Sequence, residues 1–327
     1  MQPQKVLVCG GAGYIGSHMV RALIKAGHQP VVFDNLSTGH IDSIGDVDFI
    51  RGDLLDIQVV RRVFGEYCFD AVMHFSAKSL VGESVVDPAI YYTNNVTGTA
   101  NLLEAMRECG VLKLVFSSTA AVYGNPVTET IREDHPRAPV NPYGRSKLMV
   151  EHMLGDYAAA YDMRSVSLRY FNAAGADEAG DIGEAHNPET HLIPNVLLAA
   201  LEKNEGLKVF GDDYPTADGT CVRDYIHVTD LCSAHLAALE YLTLHNGAHA
   251  FNLGNGNGFS VRQVLDAAMR VTGKEIPYAV EGRRAGDPAI LVADAGRAKT
   301  ELGWQPEYTD VEKIIETAWR WHQEQRY

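Results

Sequence analysis

The chain has 327 residues, 46% of them hydrophobic and 21% charged, which suffices for a large core and excludes intrinsic disorder. Its 28 basic and 42 acidic residues leave a net charge of −14, which argues against nucleic acid as a partner and requires any anionic ligand to be met by local positive charge. With no apolar run of about 18 residues and no signal-peptide start, the expectation is a cytoplasmic protein with no membrane partner. Cys9, Cys68, Cys109, Cys221 and Cys232 carry no Cys-x-x-Cys spacing and are expected to be buried, reduced thiols.

The first predicted element is a strand at Lys5–Cys9, followed by a helix at Tyr14–Lys25 that Gly27 closes. Further strands are expected at 31–34, 70–74 and 113–117, the last two each preceded by a helical stretch. A helix over 143–161 and a strand over 164–169 complete the series. This alternation predicts an α/β fold, a Rossmann-type doubly wound parallel sheet. Ligands of such sheets sit at the carboxyl ends of the strands, so chemistry is expected from residues 10–16, 75–80, 117–119 and 171–172. After Asn172 the pattern loosens. Residues 173–188 read as a loop and 192–203 as a helix, while 224–227 and 251–253 read as short strands that rejoin the first sheet. The expected division is a dinucleotide-binding domain over 1–174 and a smaller α/β substrate lobe over 175–327.

Gly10-x-x-Gly13-x-x-Gly16 lies directly after a strand and before a helix, the context a dinucleotide fingerprint requires. The first glycine permits the tight turn, the second lets the backbone approach a pyrophosphate, and the third lets helix and strand pack closely. The helix N-terminus adds free N–H groups and a positive dipole end. Asp34 ends the next strand where a ribose-binding acid belongs, and a carboxylate there selects NAD over NADP by repelling a 2′-phosphate. Asp53, after a further strand, is placed for the adenine ring, with a helix N-cap as its alternative role.

Tyr143 and Lys147 stand four residues apart and share one helix face, with Asn141-Pro142 suited to a helix start. An ammonium ~5 Å from a phenol favours the phenolate by roughly 3 kcal/mol at an effective dielectric of ~20. Such a tyrosine works as an acid/base. Thr119 is the preferred partner for a substrate hydroxyl and Ser118 the second choice, each with a turn or cap as its bland alternative.

Residues 10–18 (Gly-Gly-Ala-Gly-Tyr-Ile-Gly-Ser-His), Ser118-Thr119, Tyr143-x-x-x-Lys147 and Arg169-Tyr170-Phe171-Asn172 together resemble the extended short-chain dehydrogenase/reductase family. Val81-Gly82-Glu83-Ser84, the run 91–96, the run 219–227 and Arg283-Arg284-Ala285-Gly286-Asp287 narrow the resemblance to its UDP-glucose 4-epimerases, from about residue 5 to about 305. The resemblance implies an NAD enzyme that inverts C4 of a UDP-sugar, with Tyr143 as acid/base, Lys147 tuning it and Thr119 on the sugar oxygen. It places Tyr14, Ile15, Asn35, Leu54, Phe75, Ser76, Ala77, Asn94, Ser117 and Phe171 around the cofactor with the residues already named. On the substrate side it implies Asn172, His191, Leu192, Val209 and Phe210, the last beside the uracil. Arg223 and Arg284 would hold the diphosphate, Asp287 a ribose hydroxyl, and Leu291 the wall near the sugar 2-substituent. It also implies a homodimer through helices near 88–109 and 143–161, where Leu148, Met149, Met153 and Leu154 serve either that contact or the core.

Two positions depart from the pattern. Some family members carry a lysine one residue beyond Lys78, where this chain has Ser79. His191 stands where others have an asparagine, and a neutral imidazole would supply one hydrogen bond. No metal site is expected; His245 and His249 read as a surface loop. Three other functions compete. A nucleotide-sugar 4,6-dehydratase would need an Asp-Glu pair after the threonine, where this chain has Ala120-Ala121. A 4-epimerase of UDP-N-acetylhexosamine or UDP-glucuronate is the nearer alternative. A non-catalytic nucleotide sensor would be expected to lose the Tyr-Lys pair.

Overall fold

A computed structural model describes residues 2–204, 206–284 and 287–327. Strand β1 (Lys5–Cys9) is followed by α1 (Tyr14–Lys25), β2 (Gln29–Asp34), β3 (Asp48–Arg51), α2 (Ile57–Glu66) and β4 (Ala71–His74). Two short helices, α3 (Val81–Val86) and α4 (Pro88–Tyr91), pass through a π-helical turn at Tyr92–Thr97 into α5 (Gly98–Glu108). Next come β5 (Lys113–Ser117), β6 (Thr130–Ile131), α6 (Pro142–Tyr161), β7 (Arg164–Tyr170) and β8 (Asn172–Ala174). The remainder holds α7 (Leu192–Ala200), β9 (Leu207–Phe210), β10 (Val222–His227), α8 (Val228–Leu244), β11 (Ala248–Leu253) and β12 (Gly258–Ser260). It ends with α9 (Val261–Thr272), β13 (Tyr278–Glu281), β14 (Ile290–Ala293), α10 (Gly296–Glu301) and α11 (Val311–Gln323).

Seven strands form one parallel sheet in the order β11-β7-β5-β4-β1-β2-β3. Helices cover both faces, so β1 is apolar without alternation: Val6, Leu7, Val8 and Cys9 are each at most 1% exposed. The pleat then splits them. Val6 and Val8 pack with Met19, Leu23 and Leu239 on the side of α1 and α8. Leu7 and Cys9 pack with Leu102, Leu103, Met106 and Leu154 on the side of α5 and α6. The chain runs outward from β1 through β2 to β3, then returns to β4 on the other flank of β1. The crevice between the ends of β1 and β4 is therefore the switch point at which such sheets bind ligands.

The expectation that both later strands rejoin this sheet is half met. β11 does, in parallel register with β7 from Ala248↔Ser165 to Leu253↔Tyr170. β10 does not; it joins β12, β14, β6 and β8 in a second sheet. Asp224 explains the choice. Its wholly buried carboxylate accepts from Asn255 N at 2.9 Å and Ala293 N at 3.1 Å, which moors the strand to the second lobe. A third apolar core, with Ile193, Leu197, Val264, Ile314 and Ile315, joins α7, α9 and α11 there.

The cysteine expectation also needs correction. Cys9, Cys221 and Cys232 are buried free thiols, but Cys68 and Cys109 are exposed because they fall just past the ends of α2 and α5. Among the described residues, no helix is long and apolar enough to cross a membrane.

Candidate active site

The glycine loop closes against the strand beside it. Gly10 has φ +78° and a Cβ there would stand 2.6 Å from Ser76 N, so the loop touches the end of β4 directly. A Cβ on Gly16 would fall 2.1 Å from the Gly10 carbonyl, which is why α1 starts so close to β1. Gly13, by contrast, meets no atom nearer than 3.4 Å, leaving an open approach over the start of α1. Ile15 packs into the core and Tyr14 donates to the Gly175 carbonyl at 2.6 Å, tying the loop to the second lobe.

Asp34, 8% exposed at the end of β2, accepts from Ala12 N at 3.0 Å and Leu36 N at 2.8 Å. Burial raises its carboxyl pKa and these backbone donors partly offset the rise. Asp53 accepts from Asn35 Nδ2 and Leu55 N, both at 2.9 Å, beside Asp34. The N-cap alternative for Asp53 fails, because Asp56 caps α2 through Gln58 N and Val59 N. Leu54 is buried beneath this edge. The cradle, the open face at Gly13 and the two acids fit a dinucleotide.

A second set of groups gathers at the end of β5. Asn141 caps α6 by accepting from Gly144 N at 2.8 Å and Pro142 occupies its first turn, so Tyr143 and Lys147 begin the helix on one face. The Tyr143 phenol is half-buried within hydrogen-bonding reach of Thr119; burial raises its pKa and Thr119 pulls it partway back. Thr119 also accepts from Ala121 N at 3.1 Å, so the cap expected as its alternative role is present. Ser118 is occupied elsewhere, donating to Glu151 at 2.6 Å. Lys147 is 2% exposed and donates to the Ser117 carbonyl at 2.8 Å. Burial lowers its pKa to about 7 against the opposing pull of Glu151. Burial dominates at both groups, raising the phenol and lowering the ammonium.

Residues that the sequence reading passed over hold this arrangement. Buried Asn95 donates to the Lys78 carbonyl at 2.9 Å and Ser146 Oγ at 3.0 Å, and accepts from Lys78 N at 2.8 Å. It therefore locks the 75–78 loop, with half-buried Phe75, Ser76 and Ala77, onto α6 beside Tyr143. Asn94 donates to Asn95 at 2.9 Å from the same π-helical turn, an irregularity that favours functional sites. Below Lys147, Arg169 grips Glu151 at 2.9 and 2.6 Å, and both side chains are at least nine-tenths buried. Tyr143, Lys147 and Glu151 follow at spacings of four, a signal visible in the sequence once the helix is granted.

On the second lobe, Arg223 pairs with Asp287, and Arg284 lies 3.9 Å over the Phe210 ring. The two arginines assigned to one ligand thus already engage the two groups assigned to its nucleoside. Asn172 donates to the Asp224 carbonyl at 2.9 Å. Val209 is buried in the lobe core. Leu291 is half-buried with Val122, Ile131, Leu148 and Phe171. Ala285 and Gly286, within the Arg-Arg-x-Gly-Asp segment, lie outside the described residues.

His191 departs furthest from expectation. It caps α7, preceding Leu192, and its Nδ1 stands 2.7 Å from Glu184 and 3.2 Å from Glu189. Burial would lower its pKa, but the two carboxylates outweigh burial and raise it, so the imidazole is charged rather than neutral at pH 7. His186 joins the same group. The spacing Glu184-x-His186-x-x-Glu189-x-His191 was legible but had not been singled out.

A family profile described as GDP-mannose 4,6 dehydratase matches residues 7–317. The UDP-glucose 4-epimerase of Halalkalibacterium halodurans is 52% identical over 319 residues, 98% of this chain and 96% of that one. The chain belongs to the UDP-glucose 4-epimerase family. A crystal structure of a UDP-glucose 4-epimerase superimposes with a TM-score of 0.96 at 53% identity, covering 98% of both chains. That of the Brucella ovis UDP-glucose 4-epimerase, in complex with NAD, gives 0.94 at 51% identity and 97% coverage of both. The fold and family expectations are met, and the sheet of this chain is that of the family.

Proposed function

We propose that this chain interconverts UDP-galactose and UDP-glucose by inverting C4 through a 4-keto sugar. NAD, when bound, accepts hydride from C4 and returns it, so the cycle needs no external redox partner. Gly10, Gly13 and Gly16 with the start of α1 would hold its pyrophosphate, and Asp34 and Asp53 its adenosine half. The observation that carries the reading is the gathering of Thr119, Tyr143 and Lys147 at the end of β5, one strand from the switch point.

Tyr143 takes the proton from the sugar 4-hydroxyl and later restores it. Thr119 holds the same oxygen in both epimers. Lys147 is pinned to Ser117, and its remaining N–H groups would serve the ribose of the cofactor. Arg223 and Arg284 meet the diphosphate in a chain whose overall charge repels it, while Phe210 and Asp287 take the nucleoside. Asn172, Leu192 and Leu291 surround the sugar. The family profile's name raises the dehydratase reading again. Ala120 and Ala121 stand in a short turn after Thr119 and supply neither the acid nor the base that removal of water requires.

The protein is proposed to be a cytoplasmic homodimer that pairs through α5 and α6. Met149 is 46% exposed on α6, whereas Leu154 is buried and Leu148 and Met153 are half-buried against the core. Two measurements test the function: UDP-galactose consumption by the purified protein, and the identity of the nucleotide released on denaturation. No conversion to UDP-glucose, or release of NADP, would refute it.

A further inference from the structure

Glu184, His186, Glu189 and His191 bring one donor atom each to within 4.8 Å of one another. The individual approaches are close. Glu184 Oε1 lies 2.7 Å from His191 Nδ1 and 3.0 Å from His186 Nδ1. Glu189 lies 3.2 Å from His191 Nδ1 and 3.8 Å from His186 Nδ1. Ligands about 2.0–2.1 Å from a tetrahedral ion stand roughly 3.3 Å apart. These four separations straddle that edge length.

Hydrogen bonding leaves the cluster incompletely explained. Both imidazoles aim the same nitrogen at one carboxylate oxygen, and the buried His186 Nδ1 finds no hydrogen-bond partner despite its proximity to Glu184. A cation among the four would satisfy it. The framework is firm: the Trp321 indole donates to the Glu184 carbonyl at 2.8 Å, and Gly183 packs so closely on that ring that a Cβ would stand 2.4 Å away. Glu189 is oriented by Thr190 N at 2.7 Å and His191 N at 2.8 Å. The His191 side chain is 45% exposed, which gives an entry path, while Glu184 at 4% forms the floor.

The geometry points to a structural site for one zinc-class divalent transition ion, held by Glu184, His186, Glu189 and His191. Two imidazole nitrogens, that of His191 after releasing its proton to solvent as the ion enters, and two carboxylates match the ligand preferences of zinc, neutralise its charge, and disfavour the all-oxygen ions magnesium and calcium. The site shares no residue with Thr119, Tyr143 and Lys147. Its ring neighbour is Tyr14 at the start of α1, 6.3 Å from His186 between ring centres. An ion here ties residues 184–191, the loop before α7, into one closed turn. Its effect is on stability and on where α7 begins rather than on proton transfer.

The test uses full-length, tag-free protein dialysed against a chelator and then titrated with zinc. Calorimetry and elemental analysis should find about one ion per chain, and the melting temperature should rise on reloading. His191→Ala and Glu189→Gln should each weaken zinc binding by at least ~10-fold. The paired variant His245→Ala/His249→Ala should bind as the wild type does. Circular dichroism of each apo variant separates loss of the site from loss of the fold, and Glu189→Gln, which keeps the shape of the side chain, serves if His191→Ala unfolds. Sub-stoichiometric binding, binding that survives both substitutions, or magnesium bound as tightly as zinc would overturn the proposal.

Discussion

Lys147 donates to the Ser117 carbonyl at 2.8 Å, and the Tyr143 phenol one helical turn earlier takes no part in that bond. The lysine is wedged above the Phe116 ring at 4.8 Å, and its burial lowers its pKa to about 7. Between pH 7 and the unfolded value near 10.5, the unfolded chain binds a proton that the folded chain has shed. Stability contributed at this site therefore rises with pH across that window and is flat below it. Lys147→Met removes the charge without emptying the space. In the cofactor-free protein, it should raise the melting temperature relative to wild type more at pH 6 than at pH 9. An equal difference at both values would show that the lysine is not desolvated.

The phenol is the proposed proton carrier. Tyr143→Phe keeps the ring, its contact with Tyr91 at 6.4 Å and the start of α6, while deleting the proton carrier. The variant should fold, retain cofactor, and lose turnover by ~10² or more. A residual activity above about a tenth of wild type would reassign the acid/base role.

Arg223 and Arg284 should act on binding. Arg223 is 13% exposed and its fork is already aligned by Asp287 and the Val222 carbonyl, so little order is lost when an anion is added. Arg223→Ala should raise KM for UDP-galactose by roughly 10- to 100-fold, as the loss of a charge-assisted contact worth ~1.5–3 kcal/mol implies, with a smaller change in kcat. Arg223→Lys should not recover the loss, because an ammonium cannot reproduce the fork. Steady-state kinetics at two salt concentrations decides it: full recovery by lysine would reduce the site to a point charge.

Leu291 is expected to set substrate breadth. It packs against Phe171 and pairs in register with Arg223, at the border of both lobes. It offers no hydroxyl to an acetamido group, and an amide left without a partner costs ~1–3 kcal/mol. UDP-galactose should therefore be preferred over UDP-N-acetylgalactosamine in kcat/KM, and Leu291→Tyr should remove the weaker activity and spare the stronger. Equal values for the two sugars would refute the assignment.

Much of this was legible in the sequence because several signals were local. Three glycines, an acid at the end of the next strand and a capped Tyr-x-x-x-Lys helix each declare their geometry within a few residues. What stayed hidden was long-range. Nothing in the local pattern of β10 states which sheet it joins; the decision lies with Asp224 and the distant backbone of Asn255 and Ala293. Nor could helical spacing reveal that Lys147 would turn to Ser117, since that depends on the depth of β5 beneath α6. The cluster at 184–191 lies in a segment without periodicity, where donor spacing alone cannot separate a site from a polar loop.

β11 gives the dinucleotide sheet its outermost strand only after the chain has crossed into the other lobe and returned. During synthesis, the first six strands of that sheet emerge with the flank of β7 bare, and the strand that covers it follows some eighty residues later. A fragment ending near residue 175 would expose the hydrogen-bonding edge of a buried strand and lack α8, whose Leu231, Leu239 and Leu242 close one face of the core. Such a fragment should aggregate rather than act as a free-standing nucleotide binder, and the two lobes should melt as one cooperative unit. The apparent boundary between the lobes is therefore a poor place for gene fusions or splits of this chain.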